Sequence, residues 1–298
     1  MNLQAWLQAF RLRTLPLALA SILMGSLLAS DTQSFQWQIF TLCTLTTIFL
    51  QILSNLANDY GDSIHGADSE NRQGPSRAVQ SGQISPQAMR LAIIVFALLS
   101  LCSGLTLLYL AIDSWTSFFL FLGLGILAII AAITYTMGAR PYGYIGLGDI
   151  SVFIFFGLVG VIGTYFLHTH SFSWQLFLPA SACGLFSVGV LNLNNIRDIE
   201  SDAKAGKKSI PVRLGRERAV WYHWSLLFLG VLCALIYVLS NFQSFWQFLF
   251  LLVLPFLWIN AQAVKHKTKA SELDPYLKQL ALSTLFFVLT FGLGNLLG

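Results

Sequence analysis

The chain has 298 residues, 56% of them hydrophobic and only 10% charged, with 17 Lys and Arg against 13 Asp and Glu. A soluble domain of this size carries about a quarter charged residues, so the composition excludes a water-soluble globule. The formal net charge of +4 suits an anionic membrane surface and calls for no nucleic-acid partner.

The apolar residues fall into nine runs, each close to the ~20 residues that cross a bilayer as a helix. In chain order they cover 15–30, 39–57, 89–112, 116–137, 147–167, 174–195, 220–240, 244–261 and 279–297. The runs are continuous rather than alternating, and a bilayer offers no water to an open strand edge, so they predict helices. The expected fold is an all-α integral membrane protein with nine transmembrane helices in a single domain over 1–298. The first run follows Arg11 and Arg13 and so begins like a signal peptide. Eight further runs follow, and no small-residue cleavage site leads into a soluble domain, so it reads as a retained helix. Cys43, Cys102, Cys183 and Cys233 all lie inside runs, form no metal-type pair and read as small apolar residues.

Charge placement predicts the orientation. With nine crossings, the segments 1–14, 58–88, 138–146, 196–219 and 262–278 share one face, and all 17 Lys and Arg fall on that side, Arg90 at the very start of a run. The opposite connections carry only Asp31 and Asp113 as charges, with Trp37, Trp115, Trp174 and Trp246 near the expected interface. The positive-inside rule then puts the N-terminus and the long polar loops in the cytoplasm.

Two of those loops resemble each other loosely. Asn55–Ser85 reads NLANDYGDSIHGADSENRQGPSRAVQSGQIS, and Asn192–Ala219 reads NLNNIRDIESDAKAGKKSIPVRLGRERA. Each begins where an apolar run ends, and each then sets polar oxygens at helical spacing. Asn55, Asn58 or Asp59, and Asp62 form one stripe, and Asn195, Asp198 and Asp202 form another. If the two helix ends face each other, their carboxylates and amides converge as hard oxygen ligands of the kind Mg²⁺ takes. No Cys/His set suits zinc. Solvated loop acids are the ordinary alternative. Against it stand two stripes, with Asn55 and Asn192 a turn deeper, because polar groups at membrane depth mark function.

Beside the acids lie Arg72, Arg77, Lys204, Lys207, Lys208 and Arg213. The positive-inside rule alone explains basic residues here, yet cations beside metal-binding acids are also what a phosphate ligand requires. An acidic mouth opening onto Phe-, Leu- and Ile-rich helices suggests a substrate with a phosphate head and an oily tail. In the third loop, YTMGARPYGYIGLGD (135–149), Tyr135, Tyr142 and Tyr144 are interfacial anchors or π-faces that stabilise a developing cation. A transporter is the reading from another class, but transporter charges sit near the midplane on broken helices.

NDYGDSIHGAD (58–68) together with NNIRDIESDAKAG (194–206) resembles the paired aspartate motifs of the UbiA superfamily of intramembrane aromatic prenyltransferases. QILSNLANDYGD, ITYTMGARPYGYIGLGDISVFIFFG (133–157) and NNIRDIESD are most similar to its bacterial 1,4-dihydroxy-2-naphthoate branch, which serves menaquinone synthesis. The similarity runs from RLRTLPLALA (11–20) through the last helix. Many relatives carry a third Asp at the position of Gly66; this chain has Asp68 instead, a spacing that fits the naphthoate branch.

The resemblance implies Mg²⁺ held by Asp59, Asp62, Asp198 and Asp202, with Asn55, Asn58, Asn195 and Asp68 in support. It implies a polyprenyl diphosphate as donor, completed by Arg72, Arg77, Lys207 and Lys208, with Arg140 and Arg11 more remote. Tyr135 and Asn58 would stabilise the allylic cation. The implied acceptor is 1,4-dihydroxy-2-naphthoate, with 4-hydroxybenzoate, homogentisate or haem as alternatives, and the implied setting is the bacterial inner membrane with the site towards the cytoplasm.

Overall fold

The structure is a computed structural model and describes residues 3–65 and 77–298. Among these residues nine helices are long and apolar enough to cross a membrane, as expected. They are α1 (Leu3–Asp31), α2 (Trp37–Ile64), α3 (Pro86–Ala111), α4 (Trp115–Thr134), α5 (Gly148–Thr169), α6 (Trp174–Arg197), α7 (Arg216–Ser240), α8 (Phe245–His266) and α9 (Ala270–Leu296). Two short helices, Ile199–Lys204 and Ile210–Leu214, fill the connection between α6 and α7.

Several segments expected as loops are helical. α2 continues through Asn58, Asp59 and Asp62 to Ile64, and α9 begins at Ala270 with Pro275 inside it. An apolar run marks the part of a helix that sits in hydrocarbon, whereas the backbone hydrogen bonds carry on into polar surroundings. The expected N-terminal loop 1–14 is mostly the helix Leu3–Phe10, which buries Ala5 and Ala9 against Ile52, Leu56 and Tyr60 of α2. Arg11 then breaks α1 by adopting a left-handed conformation with φ 49°, and the Leu12–Thr14 turn leads into Leu15–Asp31, with Pro16 in its first turn. Left-handed backbone is unusual for a residue with a Cβ, and Asn55 pins the break by donating to Phe10 O at 2.9 Å and Thr14 Oγ1 at 3.1 Å.

α6 is central, with Ala180, Ala182, Phe186 and Leu193 fully buried between α5, α7 and α9. Small residues at such contacts let helix backbones approach where lipid supplies no hydrophobic drive. α5 widens into π-helix over Phe153–Gly163. π-Segments are frequent at functional sites, and here Ser21 of α1 donates to the Phe156 carbonyl. α4 has no buried residue. It packs on α2 and α3 and meets α5 where Phe121 stacks on Phe166, leaving a seam between α4 and α5.

Candidate active site

A cavity of about 470 Å³ runs into the bundle from the end that carries the basic residues. Its inner part follows the α4–α5 seam between Phe121, Leu122 and Gly125 on one side and Val152, Phe155 and Val159 on the other. Its mouth is polar, with Asp62 from α2, Asp198 and Asp202 from the end of α6, and Arg77, Arg197 and Lys207 around them.

The end of α2 reaches this mouth because helical spacing turns Asn55, Asn58 and Asp62 to one side. Gly61 lets it sit tight against the residues after α4, since a Cβ there would fall 2.5 Å from Thr136 O. Thr136 in turn donates to Ala57 O at 3.0 Å and Asn58 Oδ1 at 3.1 Å. Asp62 is buried and takes three donors. Arg77 Nη2 donates to Oδ2 at 2.8 Å, Tyr144 Oη donates to Oδ1 at 3.0 Å, and Lys207 Nζ lies 3.0 Å from Oδ1. Asp59, one residue round the helix from Asn58, accepts the backbone N–H of Ala78 at 3.0 Å and of Val79 at 3.1 Å.

Just beyond α6, in the short helix Ile199–Lys204, Asp202 approaches the same ammonium, with Lys207 Nζ 3.4 Å from its Oδ1. Two carboxylates from separate helix ends thus converge on one cation. Asp198 is held differently. Arg197 grips it with two hydrogen bonds, Nε to Oδ1 at 2.8 Å and Nη2 to Oδ2 at 2.7 Å. The same guanidinium donates to Asn194 Oδ1 at 2.9 Å and Asp274 Oδ1 at 2.7 Å, and Arg13 reaches Asp274 Oδ2 at 3.3 Å. This chain of charges ties α1, α6 and α9 together.

Burial pushes the Asp202 carboxyl up to about 6; Lys207 opposes the shift, and Asp198 and Asp62 add to it. Burial likewise raises the Tyr135 phenol, helped by Tyr142 and Asp149, so its hydroxyl keeps its proton and remains a donor at neutral pH. Among the described residues no three His, Cys, Asp or Glu side chains form a ready-made metal cage. The donor set nonetheless suits a hard divalent cation. Asp62 and Asp202 already share the Lys207 ammonium, and the amides of Asn58 and Asn195 line the same mouth; oxygen donors of this kind are what Mg²⁺ takes.

The fold sorts the expected site residues. Asn55, Asn58, Asp62, Asn195, Asp198, Asp202, Tyr135, Arg11, Arg77 and Lys207 all line the cavity. Asp59 turns to backbone amides, and Asn192 points to α7, donating to Ala219 O. Lys208 and Arg140 are exposed and lie outside the cavity lining. The Lys208 backbone N–H donates to Tyr144 O at 2.8 Å, so its neighbour Lys207 takes the inward position. Asp68 and Arg72 lie outside the described residues. Three residues with no expected role join the site: Arg197, Asp274 and Asp149. The signal for each was a charge near the end of an apolar run, which sequence alone does not separate from ordinary interface charge.

The chain is similar to known proteins. The UbiA prenyltransferase family matches residues 18–289. The chain is 48% identical to the 1,4-dihydroxy-2-naphthoate octaprenyltransferase of Haemophilus influenzae, over 100% of this chain and 97% of that protein. It is 46% identical to the Escherichia coli protein of the same name, over 98% of this chain and 94% of that one. A solved UbiA homolog from Archaeoglobus fulgidus, bound to GPP and Mg²⁺, shares the fold with a TM-score of 0.66 and 18% identity, covering 96% of this chain and 99% of that one. With nine helices among the described residues long and apolar enough to cross a membrane, two acidic helix ends meeting at one cavity mouth, and a match over most of its length, the chain belongs to the UbiA prenyltransferase family.

Proposed function

We propose that this chain, as a single domain over 1–298, transfers a polyprenyl group from polyprenyl diphosphate to 1,4-dihydroxy-2-naphthoate with Mg²⁺, releasing diphosphate and CO₂. The observation that carries the reading is the convergence of Asp62 and Asp202 on one cation at the mouth of an apolar cavity. The names of the full-length relatives support the acceptor, and the Archaeoglobus homolog, bound to GPP and Mg²⁺, supports the donor class and the metal.

Asp62, Asp202 and Asp198 are the first choices for holding the metal, with Asn58 and Asn195 beside them. Held there by Asp62, Asp198 and Asp202, Mg²⁺ would neutralise the charge that builds on the diphosphate leaving group. Lys207 and Arg77 stand at the same mouth to pair with phosphate oxygens, Arg77 through a fork suited to them. Arg11 lines the same mouth. Asp59 holds the Ala78–Val79 segment next to Arg77. Asp68 and Arg72 extend the same motif.

The prenyl tail lies along the α4–α5 seam, whose apolar walls keep water from the allylic cation, and the Tyr135 ring faces that cation from the side. The C–O bond breaks with its electron pair leaving on diphosphate. The ring carbon bearing the carboxylate forms the new C–C bond, and loss of CO₂ returns an electron pair to the ring and restores aromaticity. No protein nucleophile is required. The charged face sits in the cytoplasm and the protein in the bacterial inner membrane.

The test uses protein purified in detergent with Mg²⁺, a polyprenyl diphosphate and carboxyl-labelled 1,4-dihydroxy-2-naphthoate. Labelled CO₂ released one-for-one with prenylated product, and abolished by EDTA, is the expected result. Product from 4-hydroxybenzoate with its carboxylate retained would keep prenyl transfer and remove the naphthoate assignment.

A further inference from the structure

The cavity has a second polar corner, away from the acids that meet Lys207. Asp149 stands in the first turn of α5, lines the cavity and is only 8% exposed. Among the described residues no Lys or Arg pairs with it. Its one side-chain partner among the described residues is Tyr222 of α7, whose hydroxyl donates to Oδ2 at 2.9 Å. The Tyr135 hydroxyl borders the same corner. It has no hydrogen-bond partner among the described residues, and a Cβ added at Gly148 would sit 2.8 Å from it and 3.4 Å from Leu191. Tyr142 packs edge-on to Tyr135 with ring centroids 5.3 Å apart, and its own hydroxyl is engaged by Ala131 O and Ser151. One acceptor and one donor therefore share a wall of tyrosine rings and Leu191.

We propose that this corner is the subsite for a hydroxylated aromatic acid, with Asp149 accepting the hydrogen bond of a ring hydroxyl and Tyr135 donating to a second oxygen of the same ring system. The proposal rests on the prenyl-transfer reading above and names how the acceptor is chosen. A carboxylate bonded to the ring O–H draws that proton towards itself and pushes electron density into the ring, which is what an attack on an allylic cation needs. The new C–C bond then forms as described, and the hydroxyl proton stays shared between ring oxygen and Asp149. Tyr222 acts as a positioning residue that fixes the carboxylate plane.

The geometry also sets specificity. A ring without that hydroxyl leaves a buried carboxylate with a single side-chain partner, and sites built to bond a substrate hydroxyl reject the analogue lacking it strongly. A strut between α5 and α7 would be served equally well by a neutral amide, whereas a carboxylate at membrane depth is costly and is kept for function.

The experiment compares 1,4-dihydroxy-2-naphthoate with 1-hydroxy-2-naphthoate and 4-hydroxy-2-naphthoate in wild type, Asp149→Asn and Tyr222→Phe. Wild type is expected to prefer the dihydroxy acid over at least one analogue by ~100-fold or more in kcat/KM. Asp149→Asn should lose about that factor on the dihydroxy acid, leave the disfavoured analogue within roughly threefold, and so collapse the preference. Binding of geranyl diphosphate with Mg²⁺ should be unchanged. Tyr222→Phe should reduce the same preference roughly five- to tenfold, and it carries the test if Asp149→Asn does not fold. An equal loss on all acceptors, or an intact preference, overturns the proposal while the prenyl-transfer reading stands. A wild type that prenylates no hydroxylated aromatic acid overturns both.

Discussion

At the end of α2, Asp59 accepts two backbone N–H groups of the segment that follows, Ala78 and Val79, and Asp62 faces the cavity. At the end of α6, Asp198 is clamped by the Arg197 fork, itself tied to Asp274 and through it to Arg13, and Asp202 faces the cavity. Each end thus fastens one aspartate, Asp198 still lining the cavity, and presents the other to the shared ammonium of Lys207. The first end is fastened by neutral amides and the second by a line of charges. Acids set at helical spacing along a sequence therefore do not all carry the same duty.

That contrast can be broken or sharpened. The largest expected effect is on Asp62→Ala, which removes the oxygens that meet Lys207, Arg77 and Tyr144; turnover should fall by at least ~10³-fold, as when a group acting directly on transition-state charge is lost, while the purified variant still melts cooperatively in detergent. Wild-type rates would remove Asp62 from the site.

Next comes Arg197→Met. It leaves Asp198 and Asp274 without the charge between them and should cost ~3–5 kcal/mol of stability, the usual consequence of removing one partner of a buried ion pair. A thermal melt in detergent measures it, and the double change Arg197→Met with Asp198→Asn should recover part of the loss. Asp59→Ala should cost less, ~1–3 kcal/mol, by stranding two backbone donors. It should also raise amide exchange at Ala78 and Val79 more than it alters α9. If Asp59→Ala and Arg197→Met destabilise the same region equally, the two ends are not fastened differently.

The last effect concerns pH. Asp202 is raised from 3.8 to about 6, so between those values the folded chain holds a proton that an unfolded chain has already released. Without metal, stability therefore falls as pH rises through that window, by up to ~1.4 kcal/mol per unit of separation. Divalent binding needs the ionised carboxylate, so it should strengthen as pH rises towards 6 and level off above it. Below 6 the apparent affinity should drop by roughly tenfold per pH unit. Calorimetric Mg²⁺ titrations from pH 5 to 7.5 follow this directly, and a flat profile would take Asp202 out of the binding set.

The bundle was legible because a bilayer imposes a length and a composition on anything that crosses it, and charged residues must gather at the ends of the crossings. Asn55, Asn58 and Asp62 were legible as a stripe for the same geometric reason. The duty of Asp59 was not, because its partners are the backbone N–H groups of Ala78 and Val79, 19 and 20 residues further along the chain, and spacing carries no information about them. Lys207 and Lys208 are adjacent and identical in type; only the pairing of the Lys208 N–H with Tyr144 O decides which side chain turns inward. Arg197 and Asp274 lie far apart in the chain and find each other only once α6 and α9 pack.

The break in α1 carries one more consequence. Asn55 belongs to the cavity wall and also holds Phe10 and Thr14 on either side of Arg11. The amphipathic N-terminal segment is thereby wired to the chamber as a needle is to a gauge. If a ligand draws on the Asn55 amide, a fluorophore placed on the exposed Leu3 or Leu7 should change its signal as the site fills.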